Sequence, residues 1–170
     1  MPYVVLAFPQ SQTGGQSVKM AQILNPQLER GSGQARRPHK TLLIGDFRSS
    51  NIGTVILDYL KSRFVDRYRV STIFTAKSRE ILGVASRYQI DIYMLVLNNL
   101  MHADYGDRLE PSLHLCSLLK SMYNKPIIGL SGWNQDGYGE RAKLVCDFFF
   151  ELPPRLEAVG NAFQKCLEVK

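Results

Sequence analysis

From Thr41 onward the apolar residues fall into short continuous runs, separated by segments in which they recur every three or four positions. Thr41–Gly45 (TLLIG) is the first run, and Ile52–Phe64 follows with Ile52, Val55, Ile56, Tyr59 and Leu60 at helical spacing. Val70–Thr75 reads as a strand and Ser78–Tyr88 as a helix that turns Ile81, Leu82, Val84 and Ala85 inward. Ile90–Leu97 (IDIYMLVL) is the most apolar run, polar only at Asp91 near its start. A polar stretch, Asn98–Arg108, then leads into a helix with Leu109, Leu113, Cys116, Leu119 and Met122 on one side. Pro126–Leu130 (PIIGL) is a fourth strand, followed by a short helix around Glu140–Val145. Cys146–Phe150 is a fifth strand and Pro154–Leu167 a closing helix with Leu156, Val159, Phe163 and Cys166 aligned.

Five strands, each followed by a helix, predict a parallel sheet, because runs apolar on both faces need helices on both sides. At about 130 residues the expected architecture is a flavodoxin-like, doubly wound α/β fold with five parallel strands in the order 2-1-3-4-5. Ligands of such sheets sit beyond the carboxyl ends of the strands, where the winding reverses. That rule selects Asp46–Ser49, Val96–Asn99, Ser131–Trp133 and Glu151–Pro154 for inspection.

Composition alters the picture mainly for the first forty residues. Gln10–Lys40 contains six Gln, Gly14-Gly15, Gly31-Ser32-Gly33 and Pro38, the texture of a linker. Residues 1–40 are therefore expected to be a poorly ordered basic tail and residues 41–170 the folded domain. Val4–Phe8 either stays loose with that tail or docks as an edge strand. The formal charge of +6 divides unevenly: the tail holds Lys19, Arg30, Arg36, Arg37 and Lys40 against Glu29, leaving the folded part only slightly basic. Nucleic acid is thus not expected as a partner of the folded domain, since a phosphate-binding surface needs a concentrated basic patch. Cys116, Cys146 and Cys166 are odd in number and lack C-x-x-C spacing, which argues against a disulfide framework or a zinc cage. No apolar run approaches the roughly 20 residues of a membrane helix. Val4–Phe8 lacks the basic flank of a leader. A cytoplasmic location without membrane contact is expected.

The strand ends carry a more specific signal. Leu42-Leu43-Ile44-Gly45-Asp46-Phe47 ends the first strand, Ile127-Ile128-Gly129-Leu130-Ser131-Gly132 the fourth, and Cys146-Asp147-Phe148-Phe149-Phe150-Glu151-Leu152-Pro153 the fifth. In these segments the chain, from Thr41 to about Val169, resembles the receiver domain of two-component response regulators. The resemblance implies an acidic pair closing the first strand, a phosphoacceptor aspartate closing the third, a hydroxyl closing the fourth and a Lys-Pro closing the fifth. Here Gly45 replaces one acid and Asp46 alone remains. Val96 stands at the acceptor position, or Asn98 if the alignment slides by two residues. Ser131 keeps the hydroxyl, Leu152 replaces the lysine, and Pro153 keeps the proline, so that the Leu152-Pro153 peptide is expected to be cis. One carboxylate with no acceptor and no neutralising lysine is a poor phosphoryl-transfer site, although Asp46 is a weak Mg²⁺ candidate. For Asp46 the plainer reading is an acceptor of backbone N–H groups before the first helix, and for Ser131 a small residue capping a strand.

The resemblance therefore implies a pseudo-receiver: a signalling module without catalysis or cofactor, acting on a separate protein partner. The expected surface is the face near Ser131–Lys143 and Arg155–Phe163, with Trp133 and Tyr138 as loop-borne anchors and the last strand and helix as a homodimer contact. No output domain is expected after Lys170. The loop holding His102, Asp104, Tyr105 and Asp107 matches no established metal spacing and is read as a surface loop. Two other classes compete. A cobalamin- or other small-ligand-binding domain of this fold type would carry Asp-x-His-x-x-Gly, but Asp46-Phe47-Arg48-Ser49-Ser50-Asn51 offers Arg48 for the His and Asn51 for the Gly. A hydrolase reading of Gly129-Leu130-Ser131-Gly132-Trp133 fails because Trp133 replaces the final glycine and His39, His102 and His114 all precede Ser131. The turn after the first strand is not glycine-rich, which leaves a mononucleotide or flavin site resting on fold analogy alone.

Overall fold

The computed structural model describes residues 5–6, 37–46, 51–100, 109–132 and 137–168. Strands β1 (Val5–Leu6), β2 (His39–Gly45), β3 (Arg69–Thr75), β4 (Ile92–Val96), β5 (Ile127–Ser131) and β6 (Phe148–Glu151) form one sheet. Helices α1 (Ile52–Phe64), α2 (Ser78–Arg87), α3 (Leu109–Tyr123), α4 (Tyr138–Val145) and α5 (Leu156–Glu168) connect or follow them. The order across the sheet is β1-β3-β2-β4-β5-β6, with every neighbouring pair parallel. Strands β2 to β6 thus have the expected flavodoxin-like 2-1-3-4-5 order. The apolar start of the chain supplies a sixth, two-residue edge strand, with Val5 opposite Thr72 and Leu6 opposite Ile73. The first full strand begins at His39, two residues inside the expected tail.

Each sheet face closes one apolar layer. Leu43, Tyr93, Leu95 and Ile127 pack with Ile81, Val84, Leu115, Cys116, Leu119 and Ala142 from α2, α3 and α4. Leu42, Ile44, Ile92, Met94, Val96, Ile128 and Leu130 pack with Ile56, Leu60, Phe64, Val159 and Phe163 from α1 and α5. In β2 this is the alternation of one strand's side chains between two buried faces, and it explains why Leu42–Gly45 show no polar position. At the edge strand β6 the three phenylalanines divide in the same way, Phe149 to the first layer and Phe148 and Phe150 to the second, and all three are only half-buried.

Two aspartates secure the amino ends of the strands. Asp91 Oδ2 accepts the Thr41 N–H at 2.8 Å while Lys40 Nζ lies 3.4 Å from its Oδ1. Asp147 Oδ2 accepts the Ile127 N–H at 2.8 Å, and Lys120 Nζ donates to its Oδ1 at 2.6 Å. Asp91, the one polar residue in the third predicted strand, is therefore a tie between neighbouring strands and lies just before β4 itself.

The three cysteines are free and buried. Burial, with the nearby Asp147 charge, pushes the Cys166 thiol up to about 12 from its ordinary 9.0. Folding thus favours the neutral thiol, and the unfolded chain releases the proton first as pH rises. Stability is expected to be unaffected by this group below pH 9.0 and to fall as pH climbs from there toward about 12. Urea denaturation at neutral pH and at the alkaline end of that window, for the native chain and for Cys166→Val, checks this: the variant should lose less stability on the alkaline shift.

Candidate functional site

The carboxyl ends of β2, β4, β5 and β6 converge on one edge of the sheet, in the register Gly45–Leu95, Val96–Leu130 and Ser131–Glu151. Asp46 leaves β2 with its backbone N–H bonded to the Thr75 carbonyl of β3 at 3.1 Å. Its side chain is 6% exposed, and both carboxylate oxygens accept hydrogen bonds. Oδ2 takes the N–H of Gly53 at 2.9 Å, and Oδ1 takes the Asn99 Nδ2 at 3.0 Å. The first bond satisfies one of the orphan donors at the start of α1, whose preceding residue Asn51 supplies no side-chain cap. The contact needs glycine at 53, because a Cβ there would lie 2.9 Å from Ile44 and 3.1 Å from Asp46 Oδ2.

Asn99 belongs to a single 3₁₀ turn, Leu97–Asn99, that continues directly from β4. Its neighbour Asn98 donates through Nδ2 to Asn99 Oδ1 at 3.2 Å and accepts the Gly132 N–H on Oδ1 at 3.3 Å. A continuous polar chain, Asp46–Asn99–Asn98–Gly132, therefore spans the crevice from the end of β2 to the end of β5. The turn is held from below by Ser112 Oγ of α3, which donates to the Leu97 carbonyl at 2.7 Å. Asn98 and Asn99 fall within the Val96–Asn99 segment that the strand-end rule selects, but the sequence assigned Asn98 only a misaligned acceptor position and Asn99 no role. Their signal is two consecutive amides at the end of a buried strand, a place where polar side chains need partners.

The remaining positions are lined by apolar groups. A Cβ at Gly45 would lie 2.7 Å from Leu95 Cδ2, 3.0 Å from Leu100 Cδ2 and 3.1 Å from Ile81 Cδ1, so the space a side chain would enter is already core. Val96 ends β4 fully buried and packs in the α1/α5 layer. Ser131 ends β5 fully buried, and its carbonyl accepts the Leu152 N–H at 3.0 Å. Leu152 is half-buried against the same layer, and the Leu152-Pro153 peptide is cis.

Tyr138 is not a loop residue. It opens α4 after Gly137, which has φ 70°, and at 3% exposed it packs in the α2/α3/α4 layer. Its apolar ring is better accommodated there than in water, so it cannot serve as a surface anchor. Arg48, Trp133 and the loop from His102 to Asp107 lie outside the described residues. Among the described residues no group of three or more His, Cys, Asp or Glu could hold a metal ion, and no helix is long and apolar enough to cross a membrane.

The fold is that of response-regulator receiver domains. A receiver domain of a DNA-binding response regulator from Colwellia psychrerythraea 34H is similar, with TM-score 0.59 at 16% identity over 77% of this chain and 99% of that one. A two-component response regulator from Clostridium difficile gives TM-score 0.59 at 19% identity, covering 76% and 96%. The receiver domain of a modulated diguanylate cyclase from Desulfovibrio desulfuricans G20 gives 0.57 at 19%, covering 78% and 94%. No protein-family model and no curated protein sequence matches the chain.

Replacing Asp46 by Ala would strand the buried Gly53 N–H and the Asn99 amide together. An unpaired buried group costs about 1–3 kcal/mol, so a loss of about 2 kcal/mol in urea denaturation is expected, with Asp46→Asn falling between the two.

Proposed function

We propose that the chain is a receiver-like signalling module whose strand-end crevice serves structure rather than phosphoryl transfer, and which acts by contacting another protein. The observation that carries this reading is the state of the strand ends: apolar side chains close the space at Gly45, Val96 is core, and Asp46 is committed to Gly53 and Asn99. Phosphoryl transfer needs charge neutralisation around the moving group, and Leu152 offers none. A Mg²⁺ ion would also have to compete with two existing hydrogen bonds for its one carboxylate.

The surface formed by α4, β6 and α5 is the proposed partner face. Leu144 of α4 is 85% exposed, an apolar group presented to water beside Lys143 and Glu140. Among the described residues strand β6 pairs only with β5, which leaves its outer edge available to a second copy or another protein. Contact through this edge and α5 is the proposed route to a homodimer. The module is proposed to work without enzymatic activity and without nucleic acid as its partner.

Incubation with acetyl phosphate and Mg²⁺, followed by intact-mass measurement, tests the reading. The expected result is an unmodified mass. A base-labile phosphoryl adduct would contradict it.

A further inference from the structure

A second concavity lies at the opposite end of the sheet from the crevice. It has a volume of about 320 Å³ and is walled by the end of α2, the start of β4 and the turn after α3. Three tyrosines line it, Tyr88, Tyr93 and Tyr123, together with Ser86, Arg87 and Lys125. Among the described residues no acidic side chain is in its lining. Two helix ends fix this geometry. The Tyr88 N–H bonds the Val84 carbonyl at 2.9 Å to close α2, and Asn124, with φ 48°, closes α3 by bonding Lys120 at 3.0 Å.

The charge at this site is unbalanced. The nearby acids are occupied, Asp91 by Lys40 and the Thr41 N–H, Asp147 by Lys120 and the Ile127 N–H. Among the described residues Arg87 and Lys125 have no ion-pair partner. The carboxyl ends of α2 and α3 each contribute roughly −0.5 of a charge, about −1 together, which is less than the +2 of the two side chains. The concavity therefore keeps a net positive potential beside aromatic walls. Tyr88, 44% exposed, leaves part of its ring open at the rim.

We propose that this concavity binds a small aromatic acid, with its ring against Tyr88 and Tyr123, which the buried Tyr93 backs, and its carboxylate or phosphate between Arg87 and Lys125. The volume is at the lower end of ligand sites, which suits a single-ring molecule rather than a dinucleotide. Aromatic stacking and charge-assisted hydrogen bonds supply complementary parts of the affinity. This inference does not depend on the reading of the crevice, which lies at the other end of the strands.

Benzoate and phenyl phosphate are the probes, titrated into the full-length, isotope-labelled protein and followed by amide NMR. Saturable shifts confined to residues 85–93 and 123–125 are expected. Benzyl alcohol, which keeps the ring and loses the charge, should bind about tenfold more weakly, as should both acids to an Arg87→Ala/Lys125→Ala double variant. Arg87 is exposed and Lys125 half-buried, so the double variant should keep the native amide dispersion; Lys125→Gln alone provides a milder check. No saturable shift with either acid, equal binding of the alcohol, or undiminished affinity in folded variants would overturn the proposal. Binding of only one of the two acids would support it and identify the anion.

Discussion

Because β2, β4 and β5 are covered on both faces, almost every side chain along them must enter one of two apolar layers. That constraint sets the strand composition, the parallel order and the placement of helices on both sides. It also reaches further along the strands than the sheet itself. At the carboxyl edge, where a fold of this kind leaves a crevice, the layers continue through Leu95, Leu100 and Ile81 around Gly45 and through Val96. Among the described polar groups there, Asp46, Asn99 and Asn98 bond to one another and to backbone N–H groups at Gly53 and Gly132. This pairing is what allows them to sit at the edge of a core, since an unpaired buried amide or carboxylate is costly.

Much of this was legible in the sequence, for a physical reason: continuous apolar runs alternating with helical periodicity admit few topologies. The order of β2 to β6 follows from it, and strand boundaries moved by only one or two residues. The resemblance to receiver domains also implied the cis Leu152-Pro153 peptide, which the fold contains. What escaped depends on contacts between distant segments. The bond from Asn99 to Asp46 joins residues 53 apart, and nothing in either neighbourhood announces it. Tyr138 was misplaced because its flanking residues, Gly137 and Gly139, suggest a turn. In the fold Gly137 ends the turn and α4 begins, carrying the ring inward. The docking of Val5–Leu6 beside β3 was one of the two alternatives open for Val4–Phe8, and the choice depends on an open sheet edge rather than on helix-or-strand propensity.

The molecule thus presents two ends of different character. At the carboxyl ends of the strands, Asp46, Asn98 and Asn99 are bonded by the chain itself. At the amino ends, Asp91 and Asp147 hold neighbouring strands through backbone N–H groups and lysines, while Arg87 and Lys125 remain uncompensated beside three tyrosines. In the proposed account, contact with partners shifts away from the crevice, toward the α4–β6–α5 face and the tyrosine-lined concavity.

The central claim is that the crevice is structural and does not receive a phosphoryl group. Titration with Mg²⁺ and beryllofluoride, followed through the amide resonances of Asp46, Val96, Ser131 and Gly132 and through the melting temperature, tests it most directly. The account predicts no saturable shift and an unchanged melting temperature. Saturable shifts at those four residues, with a melting temperature raised by several degrees as ligand linkage requires, would contradict it.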